Sequence, residues 1–431
     1  MIKLQYNILR IAFLVAMILI RSQSVSGQHS DIQVRQPVDV SKQQMTLQQQ
    51  DLLMHNAVSD IYSAVLKEIE TNSTTLGALR EEMEAQKLGN RTGIFLANPE
   101  VEFAYLWGDP VSMGKRTDFS VSQSFDFPTA YGHRNRVSKL KNENVELNYK
   151  SERMELLLAA KQICVELVYY NALLAEYDAR LKNAEAISGS YERRLAAGDA
   201  NILESNKAKL NLITVRNEVA RINIERTALL SELRRLNGGK ELSFSYNRYP
   251  GNLLPIDFES WYTSAETKNP VLGYVRGEVE INRSEAALNR ALSLPKLHAG
   301  YMSESVVGEK FQGVAMGISI PLWENKNTVK GAQARVKAAE LIVQDSRIGF
   351  YNRLQNLYIK ASELNRNAAE YRNALSSYSN NTLLKKALDS GEISLLEYLL
   401  ELEYYYDAVN NMLEAERDYE LSLAELSAVE L

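Results

Sequence analysis

The sequence has few of the residues that are abundant in disulfide-bonded chains, which are rich in cysteine, or in disordered chains, which are rich in proline and glycine. Cys164 is the only cysteine among 431 residues, which excludes an intrachain disulfide and a zinc site built from several cysteines. Nine prolines and 21 glycines are too few for low-complexity disorder. The net charge is -5, and acidic and basic residues are mixed along the chain. This charge pattern argues against a nucleic-acid surface.

Residues that carry catalytic or metal chemistry are also scarce. The four histidines are too scattered for metal-ligand spacing: His29, His55, His133 and His298. Cys164 lies in an apolar helical run, which predicts a small buried residue and not a nucleophile. No glycine-rich phosphate loop is present. We therefore expect no catalytic residue, cofactor or metal site, and no enzyme activity.

Apolar runs are prominent only at the N-terminus. Lys3 and Arg10 precede and flank an apolar stretch, 11–20, and small residues end at Gly27. This pattern predicts a signal peptide over 1–27, because the stretch is short for a membrane-spanning helix. No cysteine follows the predicted cleavage site at which a lipid could be attached. We expect no later run that is long and apolar enough to be a transmembrane helix, so any crossing would use strands.

The rest of the chain is an internal repeat. Asp257 follows Asp60 by 197 positions, and Pro295 follows Pro99 by 196. The pair Pro128 and Pro321 and the segments starting at Gly198 and Gly391 are each 193 positions apart. Four matches in the same order at nearly constant spacing indicate duplication. We predict an extended or equatorial segment over 28–59 and two structural repeats, 60–240 and 241–431.

Each repeat is predicted to contain a short helix, two strands and two long helices. The predicted short helices are 72–96 and 269–293, and the predicted long helices are 133–196, 201–237, 327–388 and 393–431. At 1.5 Å per residue, 133–196 and 327–388 would each span about 90 to 95 Å. A return helix of about 55 to 60 Å plus a short helix of about 37 Å gives nearly the same length. One long helix therefore matches two shorter helices placed end to end.

Apolar residues in these helices follow alternating steps of three and four. One such row is Leu212, Val215, Val219, Ile222, Leu229, Leu233 and Leu236. This spacing is typical of coiled-coil packing, although a helix of an ordinary bundle could show it too. The predicted helix lengths favour the antiparallel coiled coil.

Four segments, 101–107, 118–127, 297–304 and 313–320, alternate apolar and polar residues, as strands with one wet face do. Lipid-facing residues are predicted to be Phe103, Tyr105, Trp107, Phe119, Val121, Phe125, Phe127, Val314, Met316, Ile318 and Ile320. Lumen-facing residues are predicted to be Asp118, Ser120, Ser122, Ser124 and Asp126. Soluble hairpins that pack their apolar faces onto helices would show the same alternation.

Four strands cannot close a conducting barrel, and an open sheet in lipid leaves unpaired edges. Three copies would supply twelve strands. The predicted fold class is therefore an α+β membrane protein in which each duplicated chain gives four strands to a trimeric barrel, continued by long coiled-coil helices.

Several motifs occur in the same order in both halves. A Leu-Pro pair precedes a strand at Leu294, prolines follow strands at Pro128 and Pro321, and a Gly-acidic break separates the long helices. In this order the chain resembles the TolC family of outer-membrane efflux proteins over about 60–431. The strand opening at Asn98 is most similar to the heavy-metal and cation efflux branch.

The resemblance implies a homotrimer with a twelve-stranded β-barrel in outer-membrane lipid and a helical α-barrel in the periplasm. It also implies a periplasmic adaptor and an inner-membrane pump, expected to be proton-driven. The two helix breaks would be the tips that dock the adaptor. The tip residues that match are Arg194, Leu195, Gly198, Asp199, Leu388, Gly391 and Glu392. The alternative is that these residues are structural caps only.

The function expected from these features is a passive exit duct for small solutes or metal cations. Two alternatives stay open: a periplasmic coiled-coil adaptor or structural protein without a barrel, and an exit duct for secreted protein.

Overall fold

The computed structural model describes residues 61–251, 253–378 and 381–431. The predicted signal peptide, the segment 28–59, His29 and His55 lie outside the described residues. The first half contains α1 (Ser63–Asn72), α2 (Thr74–Asn90), β1 (Glu100–Trp107), β2 (Lys115–Phe125), α3 (Pro128–Ala197) and α4 (Ile202–Leu236). The second half contains α5 (Phe258–Lys268), α6 (Pro270–Leu292), β3 (Lys296–Val306), β4 (Glu309–Ser319), α7 (Thr328–Ser377), α8 (Asn381–Ser390) and α9 (Leu395–Leu426). Short 3-10 helices cover Val111–Met113 and Ser427–Glu430.

The junction between the two short helices is built in the same way in both halves. Ser73 ends α1 and caps α2 with φ -62° and ψ 116°, and its side chain accepts a hydrogen bond from the Leu76 N–H. Asn269 ends α5 and caps α6 with φ -66° and ψ 116°, accepting from the Leu272 N–H. An Asn or Ser side chain satisfies one of the amide groups that the first helical turn leaves free. Each cap thus sets the angle at which a short helix meets the next.

The helices pack along their lengths as antiparallel neighbours. The 70-residue α3, about 105 Å long, packs on α2 and α6 and on α4 and α9, and α7 packs on α6 and α9. One core surrounds the middle of α3, where Leu157, Cys164 and Val168 meet α1 and the end of α4. A second core, around Tyr262 and Leu354, joins α5 to the middle of α7. Cys164 is fully buried, as predicted for a packing residue.

The predicted helix 327–388 is interrupted, which corrects the expectation of one continuous helix. Helix α7 ends at Ser377, where the Tyr378 N–H donates to the Ala374 carbonyl, and α8 begins at Asn381. The hydroxyl of Ser376 donates to the Asn373 carbonyl at 2.8 Å. Serine and asparagine side chains compete for backbone hydrogen bonds and weaken a helix where they cluster. The apolar periodicity of the sequence gave no sign of this break between α7 and α8.

The expectation that no later helix is apolar enough to cross a membrane also needs correction. Among the described residues, α3 holds an 18-residue window of mean hydropathy 1.3 that passes by length and composition, and half of that window is buried. Its residues Val165, Leu167 and Val168 are fully buried against other helices of the chain. This window therefore packs as a core helix within the chain.

The strands form one antiparallel sheet in the order β1-β2-β3-β4. The central pair, β2 and β3, joins the two halves of the chain. Val307 and Gly308 connect β3 to β4, and both have positive φ, at 47° and 91°. Two such residues are typical of a tight type I′ hairpin turn. The sheet edges are β1 and β4, and neither has a second neighbour in the described chain.

Candidate channel wall and helical tips

The register of the sheet separates the two sets of predicted strand residues. Phe103 lies opposite Phe119, and Val121 lies opposite Tyr301, which is opposite Val314. Directly opposed residues project to the same side of a sheet. The resulting apolar face contains Val101, Phe103, Tyr105, Trp107, Phe119, Val121, Phe125, Leu297, Tyr301, Val314, Met316 and Ile318.

The other face carries most of the polar and charged strand residues, together with Leu106, Met302, Val306 and Phe311. Asp118, Ser120, Ser122 and Ser124 project from β2 on this face, as the alternation predicts. Arg116 pairs with Asp118 at 2.9 Å and with Glu304 on β3 at 3.2 Å. The alternation in the sequence puts Glu102, His298 and Glu304 opposite the apolar residues of their own strands, and it missed Glu100 and Arg116, which precede the predicted strand starts. The cross-strand register, which the sequence does not specify, shows that all five residues share this face.

The apolar face is exposed in the described chain. Phe103 is 66 % exposed, Val314 74 %, Met316 84 % and Ile318 60 %. Phe119 on the central strand β2 is 39 % exposed. The helices of the described residues therefore do not cover this face. That finding contradicts the alternative of soluble hairpins folded onto helices.

Three residues assigned to strands lie just beyond them. Strand β2 ends at Phe125 because Pro128 starts α3, where proline's missing N–H costs nothing. Phe127 is the N-cap of α3, and the Asp126 carboxylate pairs with Arg134 while its backbone N–H donates to Tyr131 Oη at 3.0 Å. Ile320 follows the last residue of β4 and precedes Pro321. The assignments of Asp126, Phe127 and Ile320 to strand faces were therefore wrong.

At the opposite end of the long helices, the turn between α3 and α4 reverses the chain. Gly198 has φ +82°, and its N–H donates to the Leu195 carbonyl at 3.1 Å. The Asp199 N–H donates to the Arg194 carbonyl at 2.8 Å. This pattern is a Schellman-type helix ending that needs a left-handed residue, which glycine adopts most easily. Asn201 and Glu204 then form a reciprocal capping box at the start of α4.

The turn between α8 and α9 repeats this construction. Gly391 has φ +78°, and its N–H donates to the Leu388 carbonyl at 3.2 Å. The Glu392 N–H donates to the Ala387 carbonyl at 2.9 Å. Ser394 and Glu397 form the capping box of α9. The hydrogen bonds that the backbone and side chain of Ser394 donate to the Glu397 carboxylate hold its pKa below its usual value.

The two turns lie side by side over a small apolar core, the tip core. Its buried residues are Ile187, Tyr191, Ala208, Leu388, Leu395, Tyr398 and Leu402. Leu388 is only 6 % exposed. A buried side chain cannot contact a partner protein, so the assignment of Leu388 to a docking surface is wrong, and Leu388 packs the tip instead. Leu388 is buried because it belongs to the apolar row of α8 that packs into the tip core.

The other predicted tip residues lie at or near the surface. Arg194, Gly198, Asp199, Gly391 and Glu392 are exposed, and Leu195 is half-buried. The guanidinium of Arg194 lies 5.0 Å from the centre of the Tyr191 ring. Ile202, Leu203 and Leu396 are also exposed, on the first turns of the return helices. Sequence reasoning missed these apolar residues, although their position directly after the glycine turns could have indicated them.

Among the described residues, no group of three or more His, Cys, Asp and Glu side chains could hold a metal ion. His133 and His298 lie on different elements, at the start of α3 and on β3.

The described chain is an open four-stranded sheet with one apolar face, joined to long antiparallel helices that end in paired turns. No family model matches the sequence. A curated relative, alkaline protease secretion protein AprF of Pseudomonas aeruginosa, is 23 % identical over 402 residues, or 82 % of this chain and 81 % of AprF.

Solved structures give a stronger likeness. A membrane protein from Pseudomonas aeruginosa superposes with a TM-score of 0.72 at 16 % identity, covering 86 % of this chain and 93 % of that one. The Campylobacter jejuni CmeC outer membrane channel superposes with a TM-score of 0.69 at 14 % identity and covers 94 % of both chains. The chain therefore has the fold of the TolC-like outer-membrane channels, and the predicted resemblance is confirmed at the level of the fold.

Proposed function

We propose that three copies of this chain form an outer-membrane channel, a passive exit duct that takes its driving force from an inner-membrane pump through a periplasmic adaptor. The observation that carries the proposal is the four-stranded sheet, which has an exposed apolar face and two open edges. Small solutes or metal cations are the proposed cargo.

The open edges require other strands. Strands β1 and β4 run antiparallel to each other, because they are the first and fourth strands of an antiparallel sheet. Strand β4 of one copy can therefore pair with β1 of the next in the same antiparallel sense. Three copies closed in this way give twelve strands and no free edge, as a lipid environment demands.

The two faces then have different solvents. Met316 and Val314 would face hydrocarbon, and Asp118, Ser120, Ser122 and Ser124 would line a wet lumen. The polar face also places Glu102 and Glu304 in that lumen. A water-filled bore with charged walls needs no bound cofactor and performs no covalent step, so the chain acts as a conduit and not as an enzyme.

The helices would continue the bore through the periplasm. Helix α3 is about 105 Å long and ends at the Gly198 turn. Arg194, Asp199 and Glu392 would then lie exposed at the periplasmic end, where an adaptor can meet them. Leu203 and Leu396 add the apolar area that a protein contact needs.

A second cargo class has its own support. AprF, whose name is alkaline protease secretion protein, is similar to this chain over most of both lengths. An exit duct for a secreted protein is therefore the alternative function. Deleting the gene and measuring both exported protein and metal or drug tolerance separates the two cargo classes.

The test of the duct is physical. Outer membranes extracted with detergent should yield a trimer on gels that dissociates only on heating, and the purified trimer should conduct ions in a planar bilayer. A water-soluble monomer recovered without detergent would contradict the proposal and favour a periplasmic coiled-coil protein. Trimers that fail to conduct would contradict the proposed channel function, although they would support the proposed trimeric assembly.

A further inference from the structure

The charges on the apolar face of the sheet are confined to one end. Among the strand residues on this face, two are charged, and both are lysines: Lys115, opposite Trp107, and Lys310, opposite Ser305. The acidic residues of the four strands all project from the polar face: Glu100, Glu102, Asp118, Glu304 and Glu309. Both lysines lie at the hairpin end of the sheet, away from the helices.

The two lysines have polar and aromatic neighbours but no carboxylate partner. Thr117 on β2 lies directly opposite Ser305 on β3, which lies directly opposite Lys310 on β4. The ammonium of Lys115 lies 5.7 Å from the centre of the Tyr105 ring. The described ion pairs of the strand residues use Arg116 and Lys296, both on the opposite face, so neither Lys115 nor Lys310 is paired with a carboxylate among the described residues. The end of the apolar face therefore presents two cations beside two hydroxyl groups.

The height of the sheet places these groups at a membrane surface. Strands β3 and β4 have 11 residues each, which span about 37 Å along the strand and about 26 Å when tilted by about 45°. The apolar band of an outer-membrane barrel is about 25 Å tall. The hairpin end thus reaches the headgroup level, where a lysine can keep its ammonium in water.

We infer that Lys115 and Lys310 bind phosphate groups of the phosphorylated glycolipid that forms the outer leaflet of an outer membrane. This inference rests on the proposed function, because it needs the apolar face to be in lipid with the hairpins outside. Thr117 and Ser305 would bond to the sugar, and Phe119 and Val121 would contact the acyl chains below. Three subunits would carry six such lysines around the barrel.

The experiment titrates the purified trimer in detergent with bisphosphorylated lipid A and counts bound lipid by native mass spectrometry. The test variant is K115Q/K310Q. The matched control is K207Q/K360Q, which removes two exposed lysines from the helices α4 and α7. A basic residue near an anionic lipid surface contributes about fivefold in affinity, so the test variant should bind about 25-fold more weakly. The control should bind as the unmodified trimer does.

Two comparison lipids identify what is recognised. One comparison lipid is lipid A without its phosphates, and the other is phosphatidylglycerol. Each should bind at least about tenfold more weakly than bisphosphorylated lipid A. Equal binding of the stripped lipid, or unchanged binding by K115Q/K310Q, would overturn the inference. Equal binding of phosphatidylglycerol with the same lysine dependence would overturn the assignment to a glycolipid. A failure of the proposed function would show earlier, as the absence of a heat-sensitive trimer.

Discussion

The side chain of Asn144 on α3 occupies the space that a Cβ atom at position 277 on α6 would need. Asn144 is 3 % exposed, and its Nδ2 donates to Glu278 Oε1 at 2.6 Å. Burial raises the pKa of the Glu278 carboxyl, and the hydrogen bond from Asn144 partly opposes that effect. Gly277 thus permits α3 and α6 to approach closely around a buried polar contact.

We therefore expect Gly277→Ala to lower the free energy of unfolding by about 1–3 kcal/mol, because the added methyl group must displace Asn144. The matched control is Gly349→Ala on α7, where the space around the new Cβ is open. That change should raise stability by about 0.5–1 kcal/mol, since alanine is the better helix former. Thermal unfolding of both variants checks the pair. A stabilising Gly277→Ala would show that the helices can separate there without cost.

The two faces of β4 give a second prediction from adjacent residues. Val314 projects from the apolar face and Ala315 from the polar face, and both belong to an exposed edge strand. Val314→Arg should destabilise the assembled barrel by about 2–4 kcal/mol, because it places a guanidinium in lipid. Ala315→Arg should leave assembly intact and shift ion selectivity toward anions.

The yield of heat-sensitive trimer and the reversal potential in planar bilayers measure the two effects. If both arginine variants assemble equally well, the apolar face does not meet hydrocarbon. If Ala315→Arg assembles without changing selectivity, that face does not line the lumen.

The sequence was sufficient for the strand alternation and the order of elements, because both are periodic features of local residues. The alternation placed Phe103 and Val314 on one face and Ser120 and Ser122 on the other before any register was known. It also put Glu102 and Glu304 opposite the apolar residues of their own strands, but their neighbours on other strands, such as Arg116 beside Glu304, follow only from the strand pairing. Strand ends were less predictable: Pro128 begins α3 three residues after Phe125, and the alternation continued past the true end.

Breaks inside regular patterns were the other source of error. The apolar rows of α7 and α8 are similar in period, so the interruption after Ser377 left no mark in that signal. Leu388 matched a tip motif, yet it belongs to the buried row of α8. A motif gives the position of a residue in the chain, and only packing determines whether its side chain is accessible.

The paired tip glycines give a third prediction. Gly198 and Gly391 have positive φ, and the space around a Cβ is open at both. Substitution by alanine should therefore cost about 1–2 kcal/mol each through backbone strain alone. Asparagine should cost less than alanine, because it tolerates the left-handed conformation better.

Gly189→Ala, inside α3 with open space around it, is the matched control and should be neutral or stabilising. Thermal unfolding and protease cleavage within the tip turns report the effect. Equal costs for alanine and asparagine at position 198 would mean that something other than backbone conformation holds the turn.

The capping box at the start of α9 gives the last prediction, a dependence on pH. Hydrogen bonds from Ser394 lower the pKa of Glu397 from its ordinary value of 4.5. A group whose pKa is lowered on folding stabilises the fold above its ordinary pKa, and this stabilisation is lost as the pH falls through the lowered value. Protection of the amides in the first turns of α9 against hydrogen exchange should therefore decrease as the pH falls below about 4.5.

Glu397→Gln should reduce this pH dependence, because its amide can still accept a hydrogen bond but carries no charge. Glu401→Gln, one turn further along at an exposed position, should keep the pH dependence of the unmodified protein. If Glu397→Gln titrates as the unmodified chain does, the pH response comes from another carboxyl group and the capping box is not its source.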